Sequence, residues 1–432
     1  MENVLVNKRS FRSAQWKMLL ITMFCYLFFY TGRHNFGWAV KGMAADLGVN
    51  YTQIGWISFS MLIGYAVGQL VNGNLADRYS PRKMIALGAI FSVGANFLIS
   101  LTSVYWIILM LWAMNGYFQA MAWAPGGRLI SNWWHREERG KAFGFYTMSA
   151  GFSSALTFLL SIVIINQNVS WHSLFRLPAM LLLPVSIIFY LVARSKPSDK
   201  GFPDLYTETN QLKNTSWKER YGEVLKNRKF IIASVALGFE SMARYGLIVW
   251  VPVHYLGSGA KNNPEMLWAS VLMPIGMAIG ALCFGKLSDS VFRQNRPASI
   301  RAGMLIAALI SLIIYFTPPD THHFIVGMLM FGAGFFVYGP QANFWPISPD
   351  LLGEKYVATG IGIMNMCAYL FAAIGEPVLG KVIDITGQTS SVFIAICIIS
   401  VFSAITISFC KYRYQNKKNH EQDVNKFVYS KQ

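Results

Sequence analysis

Apolar stretches of about twenty residues recur along the chain with short polar breaks between them, which is the length a helix needs to cross the hydrocarbon core of a bilayer. The pattern predicts spans near 17–41, 51–72, 83–101, 104–127, 142–166, 174–193, 230–256, 266–285, 302–317, 322–345, 357–380 and 389–410, an all-α membrane protein of twelve transmembrane helices. The single long polar connection, residues 194–229, falls between the sixth and seventh spans and holds Pro197, Pro203 and nine basic residues. It divides the chain into an N-terminal six-helix half (1–193), a linker (194–229), a C-terminal six-helix half (230–410) and a basic tail (411–432). The first apolar run starts too late and runs too long for a cleavable signal peptide, so that span is expected to stay in the mature protein.

Composition narrows the class. Thirty-seven Lys and Arg against 20 Asp and Glu give a net charge of +17, yet only 13% of residues are charged and 54% are hydrophobic. That balance excludes a nucleic-acid binder, which needs dense Lys and Arg, and it excludes intrinsic disorder. The basic residues are instead distributed by side. With a cytoplasmic N-terminus, 31 of the 37 fall in cytoplasmic segments, four (Lys41, Arg176, Lys261, Lys381) fall outside, and two, Arg33 and Arg244, lie within spans. Both termini are therefore expected in the cytoplasm. The tail suits attraction to anionic lipid. Cys25, Cys283, Cys367, Cys397 and Cys410 sit in or beside apolar runs without metal-ligand spacing and read as small core residues, so no metal and no cofactor is expected.

The halves repeat. Gly64, Gly68, Gly73 and Asp77 at the end of the second span recur as Gly276, Gly280, Gly285 and Asp289 at the end of the eighth, each offset by 212, and Arg33 and Arg244 differ by 211. Duplicated halves are a common way to build a transporter. The turn Gly73-x-x-x-Asp77-Arg78-x-x-x-Arg82, with its copy Gly285-x-x-x-Asp289-x-x-x-Arg293, combines a glycine for close helix approach, a helix-capping Asp and arginines able to pair across the gap between halves. It resembles the signature loop of the major facilitator superfamily, and its expected role is closing the cytoplasmic gate.

An arginine at the bilayer centre costs about 2.5–3.5 kcal/mol. Arg33 has no acidic residue in its own span, whereas Glu240 stands one turn before Arg244 as a possible ion-pair partner. Either each arginine neutralises a carboxylate, or both face a central cavity and hold an anionic substrate. Tyr26, Tyr30 and Arg33 at i, i+4 and i+7 place two phenols on the arginine's face of a helix, while His34 and Asn35 read as interhelical hydrogen-bonding groups.

Four stretches resemble the organophosphate:phosphate antiporter family, the group of glycerol-3-phosphate and hexose-phosphate transporters. They are Tyr26 to Phe36; Gln119 to Arg128 with Trp133-Trp134; Arg244 to Pro252; and Tyr338-Gly-Pro340. The resemblance implies that Arg33 and Arg244 clamp the substrate phosphate, one from each half, with Tyr26, Tyr30, Tyr65, Gln119, Trp123 and Tyr369 completing the binding site. Gln69 stands where the family carries a lysine, Ala150 where glycerol-3-phosphate transporters carry a histidine, and Val249 and Pro274 where it carries acidic partner residues. Glu376, ahead of Pro377 in a span otherwise free of charge, and Glu240 are candidate charge partners or coupling groups. The expected function is alternating-access transport of a small anionic, phosphorylated metabolite, in exchange for inorganic phosphate, by a monomer in a bacterial inner membrane. Proton-coupled transport of a zwitterion or carboxylate, or a transporter-like membrane sensor, stand as alternatives. An enzyme is not expected, because no nucleophile–base pair or phosphate-cradling glycine loop is present.

Overall fold

Inside a bilayer the backbone finds no water, so apolar segments close their hydrogen bonds locally as helices. The computed structural model describes residues 2–76, 79–167, 169–205, 217–257, 264–293, 295–318, 321–352 and 357–410, and its regular elements are helical throughout. The first crossing comprises α1 (Glu2–Phe29) and α2 (Phe36–Leu47). It is followed by α3 (Tyr51–Ala76), α4 (Pro81–Ile99), α5 (Tyr105–Trp133), α6 (Arg136–Asn166) and α7 (His172–Val192). After the short α8 (Trp217–Lys226) come α9 (Arg228–Gly257), α10 (Pro264–Ser270) with α11 (Leu272–Ser290), α12 (Arg296–Phe316) and α13 (His323–Tyr338). The segments α14 (Gln341–Phe344) and α15 (Ile347–Leu352) then lead into α16 (Val357–Thr386) and α17 (Ser391–Ser408).

Eleven helices among the described residues are long and apolar enough to cross a membrane. The first crossing is the twelfth, and it corrects the expectation of one continuous helix over 17–41. Its helix starts at Glu2, tightens to a 3₁₀ turn at Tyr30–Gly32 and resumes at Phe36. The strict i, i+4, i+7 face drawn for Tyr26, Tyr30 and Arg33 is therefore interrupted. The tenth, expected over 322–345, is also segmented, at Gly339-Pro340, where proline has no N–H to continue the ladder.

The glycine repeat becomes a repeated helix crossing. A Cβ on Gly64 would stand 2.0 Å from the Ala113 carbonyl oxygen of α5, and one on Gly276 would stand 2.1 Å from that of Phe331 on α13. Only glycine lets these backbones touch, and the same crossing is built twice.

Three apolar clusters show how the halves meet. One draws on both halves, joining Phe36, Ile57 and Trp112 to Tyr245, Trp250 and Leu379. The second lies within the N-terminal half, around Met18, Trp133 and Phe189, and the third within the C-terminal half together with Val224 of the linker, around Phe230, Met304 and Phe344. The shared cluster lies on the side away from the chain ends, so the halves are sealed there and part toward the side that carries both ends. The seal is close: a Cβ on Gly55 of α3 would stand 2.5 Å from the Pro377 Cα of α16, and one on Gly380 would stand 2.2 Å from the Tyr51 carbonyl oxygen. At the rim of this seam the Asp384 carboxylate accepts from the backbone N–H groups of Tyr51 (3.0 Å) and Thr52 (2.8 Å), capping α3 from the opposite half.

Gly55→Leu drives a side chain into the α16 backbone, and it is expected to hold this seam apart without unfolding either half. In a cysteine-free background, Ser58→Cys should then be labelled by a membrane-impermeant maleimide that leaves it untouched when Gly55 is present; protection in both cases would show that the seam does not depend on Gly55.

Candidate functional site

The site is built around the break in the first crossing. Ending a helix at Phe29 leaves carbonyls without amide partners in a region that water does not reach, and side chains take them over. The Gln119 amide donates to Phe29 O (2.9 Å), and the amides of Asn115 (2.9 Å) and Asn96 (3.1 Å) both donate to Gly32 O. Thr31 Oγ1 reaches Pro178 O at 2.9 Å. Pro178 has no N–H, so it frees the carbonyl of Leu174 four residues earlier, and the Asn35 amide donates to that carbonyl at 2.8 Å. His34 Nδ1 pairs with Ser154 Oγ at 2.9 Å.

These bonds set Arg33 into a cage of tyrosines. Its guanidinium carbon lies 4.3 Å from the Tyr65 ring centroid, 5.2 Å from Tyr30, 5.3 Å from Tyr245 and 5.4 Å from Tyr369, and an Nη donates to the Tyr245 hydroxyl. The ring quadrupoles offset part of the cost of burying the charge, each by up to about 2 kcal/mol when desolvated. Arg33 is 4% exposed and its Nε has no hydrogen-bond partner.

Arg244, on the unbroken α9, is placed differently. Its guanidinium carbon stands 4.6 Å from the Tyr245 ring and 5.3 Å from Tyr338, its Nε is unpartnered, and it lines a cavity of about 290 Å³ between the halves. Tyr26, Tyr30, Tyr65, Trp123 and Tyr369, all singled out in the sequence, share that cavity wall. Arg33 borders a small space of about 20 Å³ nearer the seam, and the Tyr245 ring packs against both guanidiniums.

Gln119 does not join the cavity wall. It is 3% exposed, and its amide is committed to Phe29 O and, at 2.8 Å, to Ser92 Oγ. Glu240 does not form the ion pair with Arg244 that the i, i+4 spacing allowed. It accepts from Ser241 Oγ (3.0 Å), is fully buried and keeps Oε1 unpartnered. Glu376 stands in the seam rather than the cavity, where Trp250 Nε1 donates to Oε2 at 3.1 Å and Oε1 has no partner. Of the gating set, Asp77, Arg78 and the side chain of Asp289 lie outside the described residues. Arg82 stays in its own half: its Nε donates to Tyr190 O at 2.6 Å. Arg293 adopts φ +48°, ending the turn after α11.

Several wall residues were not read as binding residues in the sequence: Gln341, Trp345 and Asn365, and Tyr338, which entered there only within the Tyr338-Gly-Pro340 stretch. Tyr245 carried a signal. The glycine register of 212 sends Arg33 to Tyr245, one residue past Arg244, so the hydrogen bond joins two repeat-equivalent positions. Gln341, Trp345 and Asn365 fall between α14 and α16, where aromatic and amide residues among apolar ones are indistinguishable from packing.

Residues 22–376 match the family model described as Major Facilitator Superfamily. The chain is 26% identical over 419 residues to the glycerol-3-phosphate transporter of Bacillus subtilis (strain 168), covering 91% of this chain and 93% of that protein. It is 26% identical over 396 residues to a probable hexose phosphate transport protein of Chlamydia pneumoniae, covering 86% of each. It is 25% identical over 411 residues to the membrane sensor protein UhpC of Escherichia coli (strain K12), covering 92% of each. Among solved structures, a bacterial homolog to the human lysosomal transporter Spinster, inward-facing and unoccupied, superposes with a TM-score of 0.73 at 15% identity over 92% of this chain and 95% of that one, a likeness of fold.

Tyr245→Phe removes the hydroxyl that accepts from the buried Arg33 guanidinium. An unmade bond to a buried charged donor costs about 1–3 kcal/mol, so the variant should melt at a lower temperature in detergent than the parent, and an identical melt would mean the contact contributes nothing.

Proposed function

The chain belongs to the Major Facilitator Superfamily, and from that membership we propose that it carries a small phosphorylated anion across the membrane by alternating access. The observation that carries this reading is the placement of Arg33 and Arg244, one from each half, the first in a tyrosine cage beside the interdomain cavity and the second on the cavity wall, with Tyr245 against both. The described residues around that cavity include five tyrosines, a threonine, an asparagine and a glutamine but no carboxylate. Guanidinium forks suit phosphate oxygens, and phenol, amide and indole groups suit the uncharged remainder of such a molecule. A bound amine would find no counter-charge on that wall, which favours a phosphate ester over a zwitterion. The relatives named as glycerol-3-phosphate and hexose phosphate transporters support the same class.

In this reading the side carrying the chain ends faces the cytoplasm, which the distribution of basic residues supports, and the seam of α2 and α3 against α9 and α16 closes the outside. The anion bridges the two arginines and lowers the barrier for the halves to rock together. Inorganic phosphate is the expected exchange partner, a single chain is the working unit, and the membrane is a bacterial inner membrane. Arg82, Arg293 and the Asp77, Arg78 and Asp289 of the turns close the cytoplasmic side in the opposite state. The unpartnered Glu376 Oε1 favours a second mode, proton coupling, because a carboxylate sealed in an apolar seam is costly when ionised and is relieved when the seam opens to water.

Purified protein should be stabilised against heat by inorganic phosphate, glycerol 3-phosphate or a hexose phosphate, and not by simple carboxylates, since a ligand binding only the folded state raises the melt. Arg33→Lys and Arg244→Lys should each weaken this by about 10- to 100-fold, because an ammonium lacks the bidentate fork. Stabilisation by carboxylates alone, or indifference to both substitutions, would sink the phosphate reading. Binding without uptake in proteoliposomes loaded with phosphate would instead favour a sensor, in line with the relative of that name.

Under proton coupling, uptake rises as external pH falls and Glu376→Gln flattens that dependence. An unchanged profile in Glu376→Gln would leave the carboxylate a structural group.

A further inference from the structure

A buried arginine does not by itself require a broken helix. Arg244 is held on the continuous α9, while Arg33 follows an interruption that forfeits several backbone hydrogen bonds. At that interruption one carbonyl receives unusual treatment: Gly32 O, on the residue just before Arg33, accepts from Asn115 Nδ2 at 2.9 Å and from Asn96 Nδ2 at 3.1 Å. The two donors come from different helices, α5 and α4, and both are fully buried. They are fixed in turn. Ser92 Oγ donates to Asn115 Oδ1 at 2.7 Å, and Asn96 Nδ2 also reaches Asn115 Oδ1 (3.2 Å) and Ser92 O (2.9 Å). Gly32 is the residue that admits them, since a Cβ there would stand 3.1 Å from Asn96 Nδ2 and 3.4 Å from Ser92 Oγ. No charge and no wall of the cavity is served by these amides directly.

We infer that Asn96 and Asn115 are positioning residues for the anion site: their side-chain amides clamp the Gly32 carbonyl, and the clamp fixes where the Arg33 guanidinium stands. The inference rests on the reading of Arg33 as an anion-binding group. A carbonyl held by two donors from separate helices cannot rotate or rejoin a regular helix without leaving both amides unpaired in an apolar interior. The following residue is thereby kept out of helical register, at φ −137°, ψ −52°, and its side chain is aimed into the tyrosine cage. A displacement of about 1 Å in such a group is enough to cost two orders of magnitude in function, so two neutral amides that touch no substrate would govern affinity.

The test uses the full-length protein with Asn115→Ser, and Asn96→Ser where the first variant does not accumulate. Two quantities are measured: the affinity for radiolabelled inorganic phosphate, and the rate at which phenylglyoxal modifies Arg33 and Arg244, mapped by peptide mass. The expected result is about tenfold weaker phosphate binding, with Arg33 modified several-fold faster and Arg244 at the parent rate. Equal acceleration at both arginines would mean general loosening of the bundle and would overturn the inference, as would unchanged Arg33 reactivity or parental affinity. Arg33→Lys binding phosphate as tightly as the parent would remove the anion-site reading and this inference with it. That failure is recognisable because the arginine reactivity is read without phosphate.

Discussion

Everything in the centre of this molecule follows from keeping a guanidinium in a medium that does not solvate it. Among the described residues no ion pair is made to Arg33, which is ringed by four tyrosines, one of whose hydroxyls accepts from it. An ion pair with a carboxylate would have been stronger and would also have cancelled the charge that a phosphate needs to find. Tyrosines lower the cost of burial while leaving the arginine net positive, so the cage holds it without silencing it. Placing it there requires an interrupted helix, and the interruption in turn recruits Ser92, Asn96, Asn115 and Gln119 from two further helices.

The number of crossings was legible from apolar run length, because the bilayer sets that length for every helix alike. The break at Tyr30–Asn35 was not, since its cause lies in residues remote in sequence: the amides that accept the loss of local hydrogen bonds sit 60 to 90 positions away. Helical periodicity read Tyr26 and Tyr30 onto the face of Arg33; Tyr30 does pack against the guanidinium, by way of a 3₁₀ turn, whereas Tyr26 pairs with the Tyr30 hydroxyl. Gln119 illustrates the limit of reading a polar residue in a span as a ligand. Its buried amide has a carbonyl to satisfy, and nothing local in the sequence distinguishes that task from binding. Glu240 and Arg244 show the converse, a favourable spacing without the pair.

The repeat conveyed more than was first taken from it. Its glycines mark the same tight crossing in both halves, and its register of 212 joins Arg33 to Tyr245. The halves share a scaffold and differ where chemistry is done: one arginine follows a broken helix fixed by amides, the other projects from a continuous one into open space.

That asymmetry divides the molecule's freedom to change. On the Arg33 side Ser92, Asn96, Asn115 and Gln119 are tied into a web with one another and with the broken helix, so a substitution there disturbs the placement of the arginine whatever the cargo. On the facing wall Gln341, Trp345, Ile361 and Asn365 border the cavity outside that web. A lineage of such carriers can acquire new cargoes by altering this wall alone, inheriting recognition of the charged group as a fixed asset and diversifying only in what is attached to it.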